Sequence, residues 1–182
     1  MTRDEALKLV KEKVSKKNLV KHMIATGACM RRLAQHFGED PDLWEIAGIL
    51  HDLDYEETLD DFDRHAWRTV EMLKEMGFSD ERVLNAILAH AGKKEPETPM
   101  EKAIYAVDPT TGFIVACALM HPSKSLKGLD LRFLKKRFKE KRFAAGASRE
   151  QMRSAESLGI DLDTFLTLCL EAMVGVSEEL GL

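Results

Sequence analysis

The residues of this chain best suited to chemistry are its histidines and the acidic residues beside them. His51 and Asp52 follow directly on Ile46-Ala47-Gly48-Ile49-Leu50, so two polar side chains stand at the C-terminal end of a core-forming helix. Burying an imidazole and a carboxylate there is costly unless something satisfies both. A bound cation does so, and so does a structural histidine-carboxylate hydrogen bond. His22 lies in the first turns of another amphipathic stretch, ahead of Ile24, Ala25, Met30 and Leu33. Asp108 sits between Ala106-Val107 and Pro109 inside the apolar run Ala103 to Leu119, where an unpaired carboxylate is strongly disfavoured. Pro109 cannot donate a backbone hydrogen to Tyr105, which predicts a bend that turns Asp108 toward a neighbour.

Two imidazoles and two carboxylates from three helices make a nitrogen and oxygen ligand set suited to one or two divalent ions of manganese, iron, cobalt, nickel, zinc or magnesium. No thiolate accompanies them, which disfavours a purely structural zinc site. His65 and His90 extend the set. Each reads as a core or capping histidine, or as part of a second cation site, or, when protonated, as a clamp on phosphate. Asp54 is a candidate to orient a ligand histidine or to act as a general base. The plainer reading, for Asp54 and still more for Glu56 and Glu57, is a solvated acidic loop. The candidate catalytic groups are therefore Asp52, Asp54, His65 and His90. His36 lies about 21 Å along a continuous helix from His22, and His121 roughly 20 Å from Asp108, so neither can share the first ion.

Helices must bring these groups together, because no stretch shows the sustained polar and apolar alternation of a strand. The punctuation predicts helices from Asp4 to about Lys16 and from Leu19 to Phe37, the second capped by Asn18 and closed by Gly38. Asp40 caps a third with Pro41 at its first position, ending near His51. An acidic loop follows, then helices from about Phe62 to Met76 and from Ser79 to Ala91. Thr98 and Glu101 form a capping-box pattern before a long helix toward Met120, and Ser148 and Gln151 repeat the pattern before a helix to Leu158. Asp161 caps the last, whose Phe165, Leu168, Cys169, Ala172 and Val176 follow helical spacing; that face can pack on the core or pair two subunits as a homodimer.

The expected architecture is an all-α, compact helical bundle, with residues 1–121 as a metal-binding core and 122–182 as a basic and amphipathic helical extension packed on it. Composition agrees with a globular chain, and no apolar stretch is expected to reach the roughly 18 residues a membrane helix needs. A charged N-terminus without a secretory signal places it in the cytoplasm. Cys29, Cys117 and Cys169 are scattered among apolar neighbours and offer neither a disulfide framework nor a metal knuckle. The formal charge of -4 argues against general nucleic-acid binding. Residues 124–142 nevertheless carry nine basic side chains against Asp130 and Glu140. They read as one solvated helix face, or as a patch from which Lys124 and Lys127 reach a substrate phosphate.

The ordered set His22, His51-Asp52 and Asp108 resembles the signature of the HD-domain metal-dependent phosphohydrolase superfamily, with His65 and His90 standing where many members carry two further histidines. The resemblance covers about residues 18 to 120. It implies a compact HD-like helical bundle and hydrolysis of a phosphate ester or phosphoanhydride, in a nucleotide or other small phosphorylated metabolite, by a metal-activated water. A noncatalytic metal- or nucleotide-binding regulator is the alternative. The chain looks like the small stand-alone members of the superfamily. It departs from others: the doublet continues as Leu53-Asp54-Tyr55 instead of Ile-Gly, and no Gly-Tyr-Pro follows, so cyclic-dinucleotide phosphodiesterase activity is not supported. Asp108 is followed by Pro109 instead of the basic residue of the small dinucleoside-polyphosphate hydrolases.

Overall fold

Capping chemistry sets most of the element boundaries. The computed structural model describes residues 1–182, and all its regular elements are helical. Helix α1 (Arg3–Lys13) opens with a reciprocal capping box between Thr2 and Glu5. Helix α2 (Lys17–Phe37) ends at Gly38, whose backbone is left-handed at φ 71°. Asp40 caps α3 (Pro41–Leu50), accepting from the amides of Asp42 and Leu43. Then come α4 (Trp67–Glu75), α5 (Glu81–His90) and α6 (Pro99–Met120), the last opened by the expected Thr98–Glu101 box. A 3-10 turn at Leu126–Gly128 leads to α7 (Leu131–Phe138), α8 (Arg149–Arg153) with a 3-10 extension at Ser154–Leu158, α9 (Leu162–Gly175) and α10 (Ser177–Leu180).

Helix α1 ends at Lys13 instead of near Lys16, because Val14 is already extended. Three helix starts also differ from the sequence expectation by two residues or more, each for a local reason. Asn18 falls inside the first turn of α2, because Lys16 takes the cap position and the Glu56 carboxylate reaches across to accept from the amides of Ser15 and Lys16. Asp80 rather than Ser79 caps α5 by accepting from Arg82 N. Helix α4 starts at Trp67 instead of Phe62, since Ala66, fully buried, holds a left-handed φ of 68° that no continuous helix tolerates.

Helix α2 is the hub, lying against α3, α6, α9 and α10. Its approach to α3 is backbone on backbone: a Cβ on Gly48 would stand 2.7 Å from Gly27 Cα. The absence of side chains there seats the helix carrying His22 directly against the helix that delivers His51. Helix α9 covers another side of α2 with Phe165, Leu168 and Cys169, so its apolar face is spent on the core. One hydrophobic cluster runs through the molecule from Ala6 to Leu180.

The expectation about membrane-length segments is corrected by α6. It is 22 residues long with mean hydropathy 1.5 in its most apolar window, so by length and composition it passes as a span. In this fold it is a core helix, with Ile104, Val107, Phe113 and Ile114 fully buried against α2, α5 and the C-terminal helices. It also runs unbroken through Pro109. The Tyr105 carbonyl that Pro109 leaves without its helical donor accepts from Gln151 Nε2 at 2.8 Å, so the cost of the proline is met from α8.

Candidate metal centre

Two helix ends, the second turn of α2, the middle of α6 and the connection between α3 and α4 build the site. His51 and His90 stand at equivalent places, at the C-terminal ends of α3 and α5, and each imidazole Nδ1 donates to the carbonyl three residues back, Gly48 O at 2.7 Å for His51 and Ile87 O for His90. These carbonyls are among those a helix end leaves unpaired, so both imidazoles cap their own helices. The bond also fixes the tautomer, leaving each Nε2 as a lone pair.

His22 reaches the same state by another route. The Thr111 hydroxyl donates to the Asp108 carbonyl at 3.0 Å, so it accepts from His22 Nδ1, also at 3.0 Å. His65 Nδ1 donates to Asp54 Oδ1 at 2.8 Å. Four imidazoles therefore turn Nε2 toward one place.

Two carboxylates meet them there. His22 Nε2 lies 3.0 Å from Asp108 Oδ1 and 3.2 Å from His51 Nε2, while His51 Nε2 lies 3.5 Å from Asp108 Oδ1 and 3.4 Å from Asp52 Oδ2. The other oxygen of Asp52, Oδ1, faces His90 Nε2 at 3.2 Å and His65 Nε2 at 3.4 Å. Asp52 is thus shared between two donor groups, His22, His51 and Asp108 on one side, His65 and His90 on the other.

The donor set fits a divalent cation. Neutral His22 and His51 would point two lone pairs at each other across 3.2 Å, which is repulsive unless a positive charge lies between them. The separations also match: ligands about 2.1 Å from a common cation stand roughly 3.0–3.4 Å apart. His22, His51 and Asp108, and likewise His51, Asp52 and His90, have ligand atoms close enough together to hold an ion.

Electrostatics tell the same story in protons. Burial alone would drive His51 toward its neutral form, but the Asp52 and Asp108 carboxylates outweigh it and hold its pKa well above the ordinary value. Burial likewise raises Asp52, yet His51 and His90 bring it well below the usual carboxylate range. Asp108 is pulled down against burial by His22 and His51. Protons and a cation compete for these lone pairs.

Asp54 has a different place from the one expected of a general base. It is fully buried, with Oδ1 on His65 and Oδ2 accepting from Thr69 N at 3.1 Å, the third residue of α4. Ala66 offers α4 no side-chain cap, and Asp54 supplies one from a distance. Asp54 thus ties His65 to the start of α4, and, fully buried, it does not line the cleft where a substrate proton would be. The acidic loop is more than solvated: Glu56 anchors the approach to α2, and Glu57 pairs with Arg68.

The cluster opens into a cleft of about 540 Å³. His22, Asp52, His65, His90 and Asp108 reach it, with Tyr55 and Phe62 on one wall and Ser148 and Gln151 on another. Lys124 and Lys127 do not line it. Lys124 Nζ is bound to Leu119 O at the far end of α6, which corrects the expectation that these lysines meet the substrate phosphate. The basic segment instead packs through stacking, Arg137 over Phe133 and Phe143. Arg149 donates to five carbonyls, those of Phe138, Glu140, Phe143, Ala144 and Ala147, and so gathers the loop that carries Gly146 and Ser148 to the cleft. His36 and His121 lie outside the cleft, as expected.

Sequence reasoning missed Thr111 and Gln151. Thr111 had a signal, three residues after Asp108 on the same helix face. Gln151 had a weaker one, the certainty that Tyr105 O needs a donor.

The family model described as HD domain matches residues 19–112, just over half of the chain. Ribonuclease Y of Fervidobacterium nodosum (strain ATCC 35602 / DSM 5306 / Rt17-B1) is 32% identical over 91 residues, which make up 50% of this chain. The match spans 17% of that protein's length. No solved structure matches the chain.

Proposed function

The chain belongs to the HD domain family, and from that premise we propose that it is a divalent-metal-dependent phosphohydrolase of small phosphate esters. The observation that carries this reading is the convergence of four imidazole Nε2 atoms on the Asp52 and Asp108 carboxylates, every Nδ1 being held by a partner outside the cluster. His22, His51, Asp52 and Asp108 would hold one ion. His65 and His90, facing the second oxygen of Asp52, would hold another or receive the phosphoryl group. When bound, such a cation supplies Lewis-acid polarisation of a phosphoryl oxygen and lowers the pKa of water.

The chain's own residues supply position. Thr111 and the Gly48 and Ile87 carbonyls fix the ring planes of His22, His51 and His90, and Asp54 fixes that of His65, so that in each neutral ring Nε2 is the ligand atom. In the net reaction water oxygen bonds to phosphorus as the bond to the ester oxygen breaks. The bonding pair leaves with that oxygen, which takes up a proton, giving an alcohol and inorganic phosphate.

The test is metal analysis of protein purified without a histidine tag, then a phosphatase and phosphodiesterase screen with manganese, iron, cobalt, nickel, zinc and magnesium. Turnover that falls in His51→Ala and Asp52→Ala supports the reading. Failure to take up any of these ions on reconstitution, or equal turnover by wild type and both variants, rejects it.

A further inference from the structure

The walls of the cleft differ in chemistry from its floor, and the difference bears on what sits there. Fourteen residues line it, and none is lysine or arginine. Lys93, near the rim, has its ammonium on Phe62 O at 3.1 Å. Phe62 is 51% exposed, yet its position is determined: its carbonyl is held by Lys93, and its ring stands 5.9 Å from Tyr55 at 89° and 4.9 Å from His65. A half-exposed aromatic ring held beside a histidine of the cluster has the size and chemistry to meet a flat ring. The opposite wall, with Ser148 and Gln151, is polar and uncharged.

Resting on the hydrolase reading, we propose that the cleft selects a phosphate monoester attached to a planar aromatic group, the ring lying against Phe62 beside Tyr55 and the phosphoryl group at the histidine-aspartate cluster. Charge points to one phosphate. Two divalent ions would offset Asp52, Asp108 and a single phosphate dianion, and Asp54, buried behind His65, adds one more negative charge. Each further phosphate of a polyphosphate chain would add to that excess, with no lysine or arginine lining the cleft and only the Lys93 ammonium on Phe62 O beside it. A charge-assisted hydrogen bond contributes about 10-fold or more in affinity, which is what each added phosphate forgoes. Stacking of a base-sized ring on an aromatic side chain contributes a similar factor of about 10 or more.

Phosphonates, whose phosphorus–carbon bond is not cleaved, separate binding from turnover. In calorimetric titrations of manganese-loaded protein, phenylphosphonate is expected to bind about 10-fold tighter than methylphosphonate. Phe62→Ala should bring that ratio near one with manganese affinity unchanged, and Phe62→Tyr should preserve it. At equal free manganese, kcat/KM for AMP should exceed that for ATP by about 10-fold or more. Equal binding of the two phosphonates, a ratio that survives Phe62→Ala, or preference for ATP would overturn this assignment while leaving the hydrolase reading in place. Failure to bind any of the metals tried for the hydrolase reading would remove both.

Discussion

Replacing Gly48 with alanine tests how the α2/α3 crossing governs the metal centre. The new Cβ would lie 2.7 Å from both Gly27 Cα and Gly27 N, and 2.8 Å from the carbonyl carbon of Thr26. All three are main-chain atoms of α2, so no side chain can rotate away. Carbon atoms rest about 3.5–4.0 Å apart, and the two helices must separate by roughly 1 Å. Overpacking of this kind costs about 1–3 kcal/mol, and a backbone obstruction places it at the upper end. For a chain of this size that is a fall in Tm of roughly 6–10 °C. The same displacement widens the 3.2 Å gap between His22 on α2 and His51 at the end of α3. A misplacement of about 1 Å costs on the order of 100-fold in turnover, so activity should drop well beyond what the unfolded fraction explains. Gly112→Ala is the control. Nothing lies within 4 Å of its Cβ, and removing a helical glycine should stabilise by about 0.5–1 kcal/mol. Thermal and urea unfolding, with manganese affinity by calorimetry, decide the matter. A Gly48→Ala protein within about 0.5 kcal/mol of wild type and with unchanged metal affinity would refute the claim that this contact sets the site.

Other consequences follow from single side chains. Thr111→Val keeps the shape but removes the acceptor of His22 Nδ1, and metal affinity should fall about 10- to 100-fold with little change in Tm, as metal titration will show. Asp54→Asn should leave the ions of His22, His51 and Asp108 bound while reducing turnover by a similar factor, because His65 loses its charged anchor; retained turnover would make that tie irrelevant. Burial pushes the Cys117 thiol up to about 12, above its ordinary 9.0. A pKa raised by folding stabilises fully below the unfolded value and is lost as pH climbs from 9 toward 12, so urea midpoints should decline across that window. Cys29, Cys117 and Cys169 are all buried, and a disulfide reagent at pH 8 should react with them only after denaturation.

The sequence by itself determined the helices, most of their caps and the identity of the groups with chemistry. Caps are local: Thr98 and Glu101, or Asp40 before Pro41, bond to amides within three residues, so their types and spacing suffice. A carboxylate inside the apolar run of α6 declared its need for a partner without naming it. The tertiary structure decided the rest. Asp54 and Glu56 serve helix starts distant in the chain, and no local pattern says which helix an acidic side chain will reach. Lys124 spends its ammonium on Leu119 O and no lysine after Pro122 lines the cleft, because charge density along a chain does not fix its direction in space. Whether His22 and His51 meet depends on two glycines in different helices having no side chains at one crossing. Local bonding is written in neighbouring residues, while convergence of imidazoles on a shared carboxylate exists only once the backbones have packed.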